Sequence, residues 1–265
     1  MIPVGDNVRS RTFPYVNITI IAINVIVFVY ELWLDSTSAG ILGFLAVTEL
    51  DLFILDWGSI PACLGDRFGF DPAVPPRALL ICPESDRVLL TPFSAMFIHG
   101  GFLHLIGNMI FLWVFGDNVE DAMGHRRYAL FYLIAGMAAT AAHVAVSQND
   151  LVPAIGASGA IAGVLGAYLI LYPRATVAAI FPIFLFFLVP FRVPAVVLIG
   201  FWFLLQLFSG VTALAATDVV GAGGGVAWFA HIGGFVMGLV LVRLFVVGRR
   251  VPPTPRAAIR RRGPW

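Results

Sequence analysis

The feature that most constrains this chain is a series of apolar stretches long enough to cross a lipid bilayer, near 14–34, 93–115, 128–147, 156–172, 194–212 and 226–247. A helix of about 20 apolar residues covers the roughly 30 Å hydrocarbon core. Six spans are therefore expected, in an all-α membrane bundle. Composition agrees: 60% of the 265 residues are hydrophobic and 12% charged, against about 45–50% apolar in soluble domains. A further run, TVAAIFPIFLFFLVP at 176–190, holds Pro182 and Pro190 and is closed by Arg192 and Pro194. Proline breaks a helix interior, so this run is expected as an interfacial or re-entrant hairpin rather than a span.

Charge placement tests that count. All sixteen basic residues are arginine, and in a six-span arrangement Arg9, Arg11, Arg126, Arg127, Arg174, Arg192, Arg243, Arg249, Arg250, Arg256, Arg260, Arg261 and Arg262 share one side. The positive-inside bias makes that side, with both termini, cytoplasmic; a seventh span at 176–190 would put the arginine-rich tail outside. The expected organisation is a cytoplasmic N-terminal segment at 1–13, a membrane domain at 14–247 with an external loop at 35–92, and a disordered Arg/Pro-rich cytoplasmic tail at 248–265. No small-residue cleavage site follows the first run, so 14–34 is expected to be a retained span. The tail's simplest partner is anionic membrane lipid. A nucleic-acid partner is not expected, because the net charge is only +1 and no recognition motif accompanies the arginines.

The external loop is acidic, with Glu49, Asp51, Asp56, Asp66, Asp71, Glu84 and Asp86 against Arg67, Arg77 and Arg87. It also carries both cysteines, Cys63 and Cys82. On the exported side of a membrane a disulfide between them can persist, and two unpaired thiols are the alternative.

Polar groups at membrane depth are costly and mark where function sits. Span two holds His104 and Asn108, span three His143, span four Ser158, span five Gln206 and span six His231. His104 and Asn108, four apart, share one helix face. His99 lies about 140° away by helical angle and is expected to steady the loop entrance. Ser158 and His104 each lie sixteen residues above a charge marking the cytoplasmic boundary, Arg174 and Glu120, or roughly 24 Å; Asn108 and His231 lie roughly 18 Å above theirs. These four side chains therefore share the outer part of the bilayer. Gly156, Gly159, Gly163 and Gly166 in span four, and Gly234 and Gly238 in span six, allow close backbone approach. A serine among such glycines is ordinary packing material when taken alone. Taken together, the four residues supply an activatable hydroxyl (Ser158), a base (His231) and donors for a developing oxyanion (His104, Asn108), which is what peptide hydrolysis requires. The nearby external acids, Asp150 and Asp218, are in loops, so a Ser-His dyad is simpler than a triad.

The runs HGGFLHLIGNMIFLWVFGDNVE (99–120), GASGAIAG (156–163) and AHIGGFVMG (230–238) resemble, in order and spacing, the rhomboid intramembrane serine proteases, over roughly 14–247. The resemblance implies a six-transmembrane-helix rhomboid-like bundle whose short fourth helix raises the nucleophile into a water-filled cavity opening outward. It implies Ser158 as nucleophile, His231 as general base and His104 and Asn108 as oxyanion donors. It further implies that the 35–92 loop partly embeds in the bilayer, that span five gates substrate entry and that the loop at 213–226, with glycines at 221 and 223–225, caps the site. Two positions depart from the pattern. Ala162 stands where some members carry an aromatic that packs on the catalytic histidine, and Arg87 lacks the preceding tryptophan of many members.

The expected function is thus an intramembrane serine endopeptidase acting on transmembrane protein substrates near the outer membrane boundary, without cofactor or metal, in a bacterial cell membrane. The alternative of the same fold is a pseudoprotease that binds membrane helices without cutting them; loss of Ser158 or His231 would mark it, and both are present. A metal carrier using His104, His143 and His231 is disfavoured by the lack of closely spaced acidic and histidine ligands. Neither an HExxH zinc motif nor a pair of in-membrane aspartates occurs.

Overall fold

A computed structural model describes residues 1–37, 48–69, 81–83, 85–183, 187–215 and 226–251. In chain order these form strand β1 (Ile2–Asp6), helices α1 (Tyr15–Thr37), α2 (Glu49–Trp57), α3 (Pro61–Arg67), α4 (Ser85–Val88) and α5 (Thr91–Ser94), a 3₁₀ turn (Ala95–Phe97), α6 (Phe102–Met123), α7 (His125–Val146), α8 (Ser158–Leu171), strands β2 (Thr176–Ile183) and β3 (Phe187–Pro194), α9 (Ala195–Ala215) and α10 (Trp228–Phe245). The protein is mostly helical, and α1, α6, α7, α9 and α10 are long and apolar enough to cross a membrane. The expected glycine-rich cap at 219–225 and most of the tail lie outside the described residues.

The remaining expected span is shorter than a membrane crossing. α8 has 14 residues, about 21 Å of helix against a core of roughly 30 Å. It starts after Gly156, whose φ of +118° suits a residue without a side chain, and ends before Pro173, which cannot continue it.

The second span is also displaced, from the expected 93–115 to Phe102–Met123. Gly101, with φ +143°, starts the helix late, and residues 91–97 fold into separate short turns. The far end continues through acids that look like a membrane boundary in sequence because each has a partner. The Glu120 carboxylate accepts the Val16 and Asn17 amides (3.0 and 2.7 Å), capping the start of α1. Asp121 accepts from Arg11 and Thr12, and Asp117 from Ser10.

Residues 176–194 do form a hairpin, but as two antiparallel strands, with Thr176 opposite Pro194 and Ile183 opposite Phe187. β1 pairs with the other edge of β2, Ile2 opposite Ile180. This small sheet is absent from an all-helical reading. A continuous apolar run gives no periodicity to separate strand from helix, and the partner strand lies at the opposite end of the chain. Asp6, in β1, receives the Asn118 amide at 2.9 Å and the Tyr168 hydroxyl of α8. Burial pushes its carboxyl up to about 6. The Tyr172 hydroxyl donates to the Asn118 carbonyl at 3.1 Å. The end of α8 remote from Ser158 is thereby tied to α6 and to the N-terminal segment.

α8 sits at the centre, with every residue from Gly159 to Tyr168 buried. It meets α10 backbone to backbone. A Cβ on Gly234 would lie 2.0 Å from the Gly159 carbonyl oxygen, and one on Gly238 would lie 2.0 Å from that of Gly163. A Cβ on Gly159 or Gly163 would in turn strike Ala139 or Ala135 of α7 at 2.6 and 2.5 Å. Without a hydrophobic drive between helices in lipid, such close contact is what holds them together.

Gly238→Ala is expected to force α10 off α8 and cost about 1–3 kcal/mol or more. Gly200→Ala in α9, where a Cβ meets nothing within 4 Å, should leave stability unchanged or raise it by up to about 1 kcal/mol through helix propensity. Thermal unfolding of the two variants in detergent checks the contrast.

Candidate active site

Ser158 opens α8, so its backbone N–H is among the first-turn amides that find no partner within the helix. Its Oγ lies 2.7 Å from His231 Nε2, on the first turn of α10. The glycine register produces this proximity: Gly159 follows the serine, Gly234 lies one turn below the histidine, and the two are in contact.

The histidine ring is held on its other side by Gln206 of α9, whose Oε1 lies 2.8 Å from His231 Nδ1. An amide oxygen can only accept, so the ring proton is on Nδ1 and the Nε2 lone pair faces the Ser158 hydroxyl. The Trp202 and Trp228 rings lie with centroids 6.0 and 6.3 Å from the imidazole. With alanine at 162, these are the contacts that orient His231. Gln206 stands out in the sequence as a polar residue in an apolar span, but its role needs the position of α10.

His104 and Asn108 project from α6 towards the same place. The Gly100 amide donates to His104 Nδ1 at 3.3 Å, which leaves the His104 proton on Nε2. The position of a Cβ on Gly156 lies 2.7 Å from that Nε2 and 3.7 Å from Ser158 Oγ, so nitrogen and hydroxyl flank one point above the Gly156 backbone. The Asn108 amide donates to the His104 carbonyl at 3.0 Å. Ser158, His231, His104 and Asn108 all line one cavity of about 1000 Å³.

His99 does not join that face. Its ring packs edge-on against His104 with centroids 5.0 Å apart, and its backbone amide donates to both carboxylate oxygens of Glu31, at 3.1 and 3.2 Å. Glu31 is 2% exposed, deep in α1, and it was missed among the polar groups of the spans although a carboxylate inside an apolar run is itself a signal. His143 lines the cavity wall. Among the described residues no three His, Cys, Asp or Glu side chains are grouped to hold a metal ion.

The described part of the 35–92 loop braces the wall before Ser158. Ser59 and Ala154 exchange backbone hydrogen bonds (3.1 and 2.8 Å), and the Ala62 amide donates to the Asp150 carbonyl at 2.9 Å. α3, which holds Ala62, is joined through Cys63 to Cys82 by a disulfide with Cα atoms 5.5 Å apart. Arg87 finds its tryptophan at a distance in sequence: the guanidinium lies 5.5 Å from the centre of the Trp57 ring while bonding Asp56 at 2.8 Å.

A multi-pass helical membrane protein with a half-buried serine-histidine pair is therefore the class that fold and site define. Residues 87–248 match the rhomboid domain, and the chain belongs to that family. It is 26% identical to the bovine mitochondrial presenilin-associated rhomboid-like protein, over 78% of this chain and 49% of that one. It is 38% identical to RHOMBOID-like protein 5 of Arabidopsis thaliana, over 29% of this chain and 25% of that one. The corresponding figures for the rhomboid protease GluP of Bacillus subtilis are 43%, 31% and 15%. The chain spans about half or less of the length of these relatives.

Mass spectrometry of unreduced protein is expected to find no alkylatable thiol. Reduction should lower the thermal midpoint, since a closed loop of this size restrains the unfolded chain by about 3 kcal/mol in the chain-entropy model.

Proposed function

We propose that this protein is an intramembrane serine endopeptidase that cuts transmembrane segments of other membrane proteins near the outer membrane boundary. The 2.7 Å approach of Ser158 Oγ to His231 Nε2 inside a cavity carries the proposal. In the first step His231 Nε2 takes the hydroxyl proton as Oγ bonds to the substrate carbonyl carbon, whose oxygen becomes the oxyanion. His104 Nε2–H, the Asn108 amide and the Ser158 backbone N–H are the donors available to it. The C–N bond then breaks, the amine leaves with the proton from His231, and an ester on Ser158 remains. Water, deprotonated by the same histidine, hydrolyses the ester to a carboxylic acid and restores the serine.

A peptide bond inside a regular helix has its carbonyl engaged and its carbon shielded. Substrates are therefore expected to carry small or helix-weakening residues near the outer end of their span. The arginine distribution supports cytoplasmic termini, and the lysine-free composition rich in Ala, Gly, Val and Arg supports a bacterial cell membrane. A reporter fused after Trp265 should read out on the cytoplasmic side; an external signal would refute that orientation.

In protein reconstituted with a transmembrane test substrate, Ser158→Ala should abolish cleavage while keeping the wild-type thermal midpoint, because alanine still fits between the glycine ridges, and His231→Ala should abolish cleavage as well. Asn108→Ala should be milder, at about 10²–10³ in rate, since other oxyanion donors remain. Cleavage by Ser158→Ala at the wild-type rate, or none by wild type across a broad substrate panel, would favour the pseudoprotease alternative.

A further inference from the structure

We propose that Gln206 is a positioning residue that selects the catalytically competent tautomer of His231, and that docking of α9 against α10 thereby arms the base. The proposal rests on the protease reading above and adds to it a third side chain and a second helix.

The glycine contact of α8 with α10 fixes how far Ser158 stands from His231, but not how the imidazole is rotated or which nitrogen carries its proton. Both are determined from α9. Gln206 Oε1 accepts from Nδ1–H at 2.8 Å, and Trp202, one turn earlier, packs against the ring. Gln206 is 7% exposed, whereas Phe201, Leu204, Leu205 and Phe208 on the same helix face outward. An amide buried in so apolar a helix costs free energy unless it is bonded, and the bond it makes goes to the catalytic ring. A neutral acceptor can serve here as a carboxylate does elsewhere, by holding the ring and interacting with Nδ1–H as Nε2 takes the serine proton. The amide turned over would present N–H to Nδ1, move the ring proton to Nε2 and leave Ser158 without a base. Because Gln206 belongs to a different helix from the dyad, any movement of α9 away from α10 breaks this bond while leaving the dyad distance intact.

The test uses full-length protein in detergent with ¹⁵N-labelled histidine, the His231 signals being assigned by their loss in His231→Ala. The expected wild-type spectrum has the proton on Nδ1; a proton on Nε2 at neutral pH overturns the proposal whether or not the protein cleaves anything. On a transmembrane substrate, Gln206→Met is expected to lower kcat about 10- to 100-fold with KM within about twofold, the scale on which orienting partners act. Gln206→Glu, whose oxygens still accept, should recover kcat to within about tenfold of wild type. Wild-type turnover by Gln206→Met, or a folded Gln206→Glu as inactive as Gln206→Met, removes Gln206 from the mechanism and leaves the protease reading intact. If wild type cleaves nothing, the protease reading fails and the tautomer alone decides. If Gln206→Met does not fold, the wild-type spectrum and the glutamate variant carry the decision.

Discussion

The contact on which the rest of the structure depends is the backbone-to-backbone approach of α8 and α10 through two glycine pairs, Gly159 with Gly234 and Gly163 with Gly238. Each pair is spaced by four residues, so the helices meet over a full turn. Ser158 lies immediately before one member and His231 three residues before its partner. On the protease reading the two need their heavy atoms within hydrogen-bond reach, and side chains of any size at the interface would move the helix axes apart by more than that tolerance. The small residues that make the segment look like packing material are thus what brings the Ser158 hydroxyl to His231.

That contact would be of little use if α8 could slide along its axis, and both of its ends are held. At one end Tyr168 and Tyr172 reach Asp6 and the Asn118 carbonyl, while Glu120 and Asp121 fasten α1 and the preceding segment to α6. At the other, the Gly156 amide donates to the Ala95 carbonyl at 2.8 Å, and the wall before it pairs with Ser59 and Ala62. Glu31 extends the same support to the His99 turn beside His104. Buried polar groups are expensive in apolar surroundings and contribute only when satisfied; their concentration at the two ends of α8 fits a helix too short to be positioned by the bilayer.

Legibility in the sequence followed the physical range of each signal. Hydropathy integrates over about 20 residues, so the long helices were readable. The start of α6 was not, because Gly101 starts the helix inside the apolar run, and its end was hidden because the N-terminal partners of Asp117, Glu120 and Asp121 lie more than a hundred residues away. The sheet failed for the same reason, since β1 and β2 are remote in sequence. Ser158, His231, His104 and Asn108 were legible as polar residues at similar depth on three helices, a pattern that counting from flanking charges can detect. Gln206 and Trp57 were visible as residues but not as partners of His231 and Arg87, because those contacts depend on how separate helices pack.

The arrangement also divides labour between rigid and separable parts. On the protease reading, distance must hold in every turnover, and it is set by α8 and α10, whose closest contacts are glycine against backbone. Direction and tautomer are set, on the same reading, from α9 by the Gln206 hydrogen bond with Trp202 packed against the ring. The side chains proposed as oxyanion donors, His104 and Asn108, come from α6, with its own support from Glu31 and His99. On the protease reading, a substrate segment entering the cavity meets four helices, α8 and α10 as one rigid pair together with α9 and α6, and chemistry proceeds only when all are in place. On the protease reading, an orienting acceptor outside the rigid pair lets the site be assembled without being permanently active.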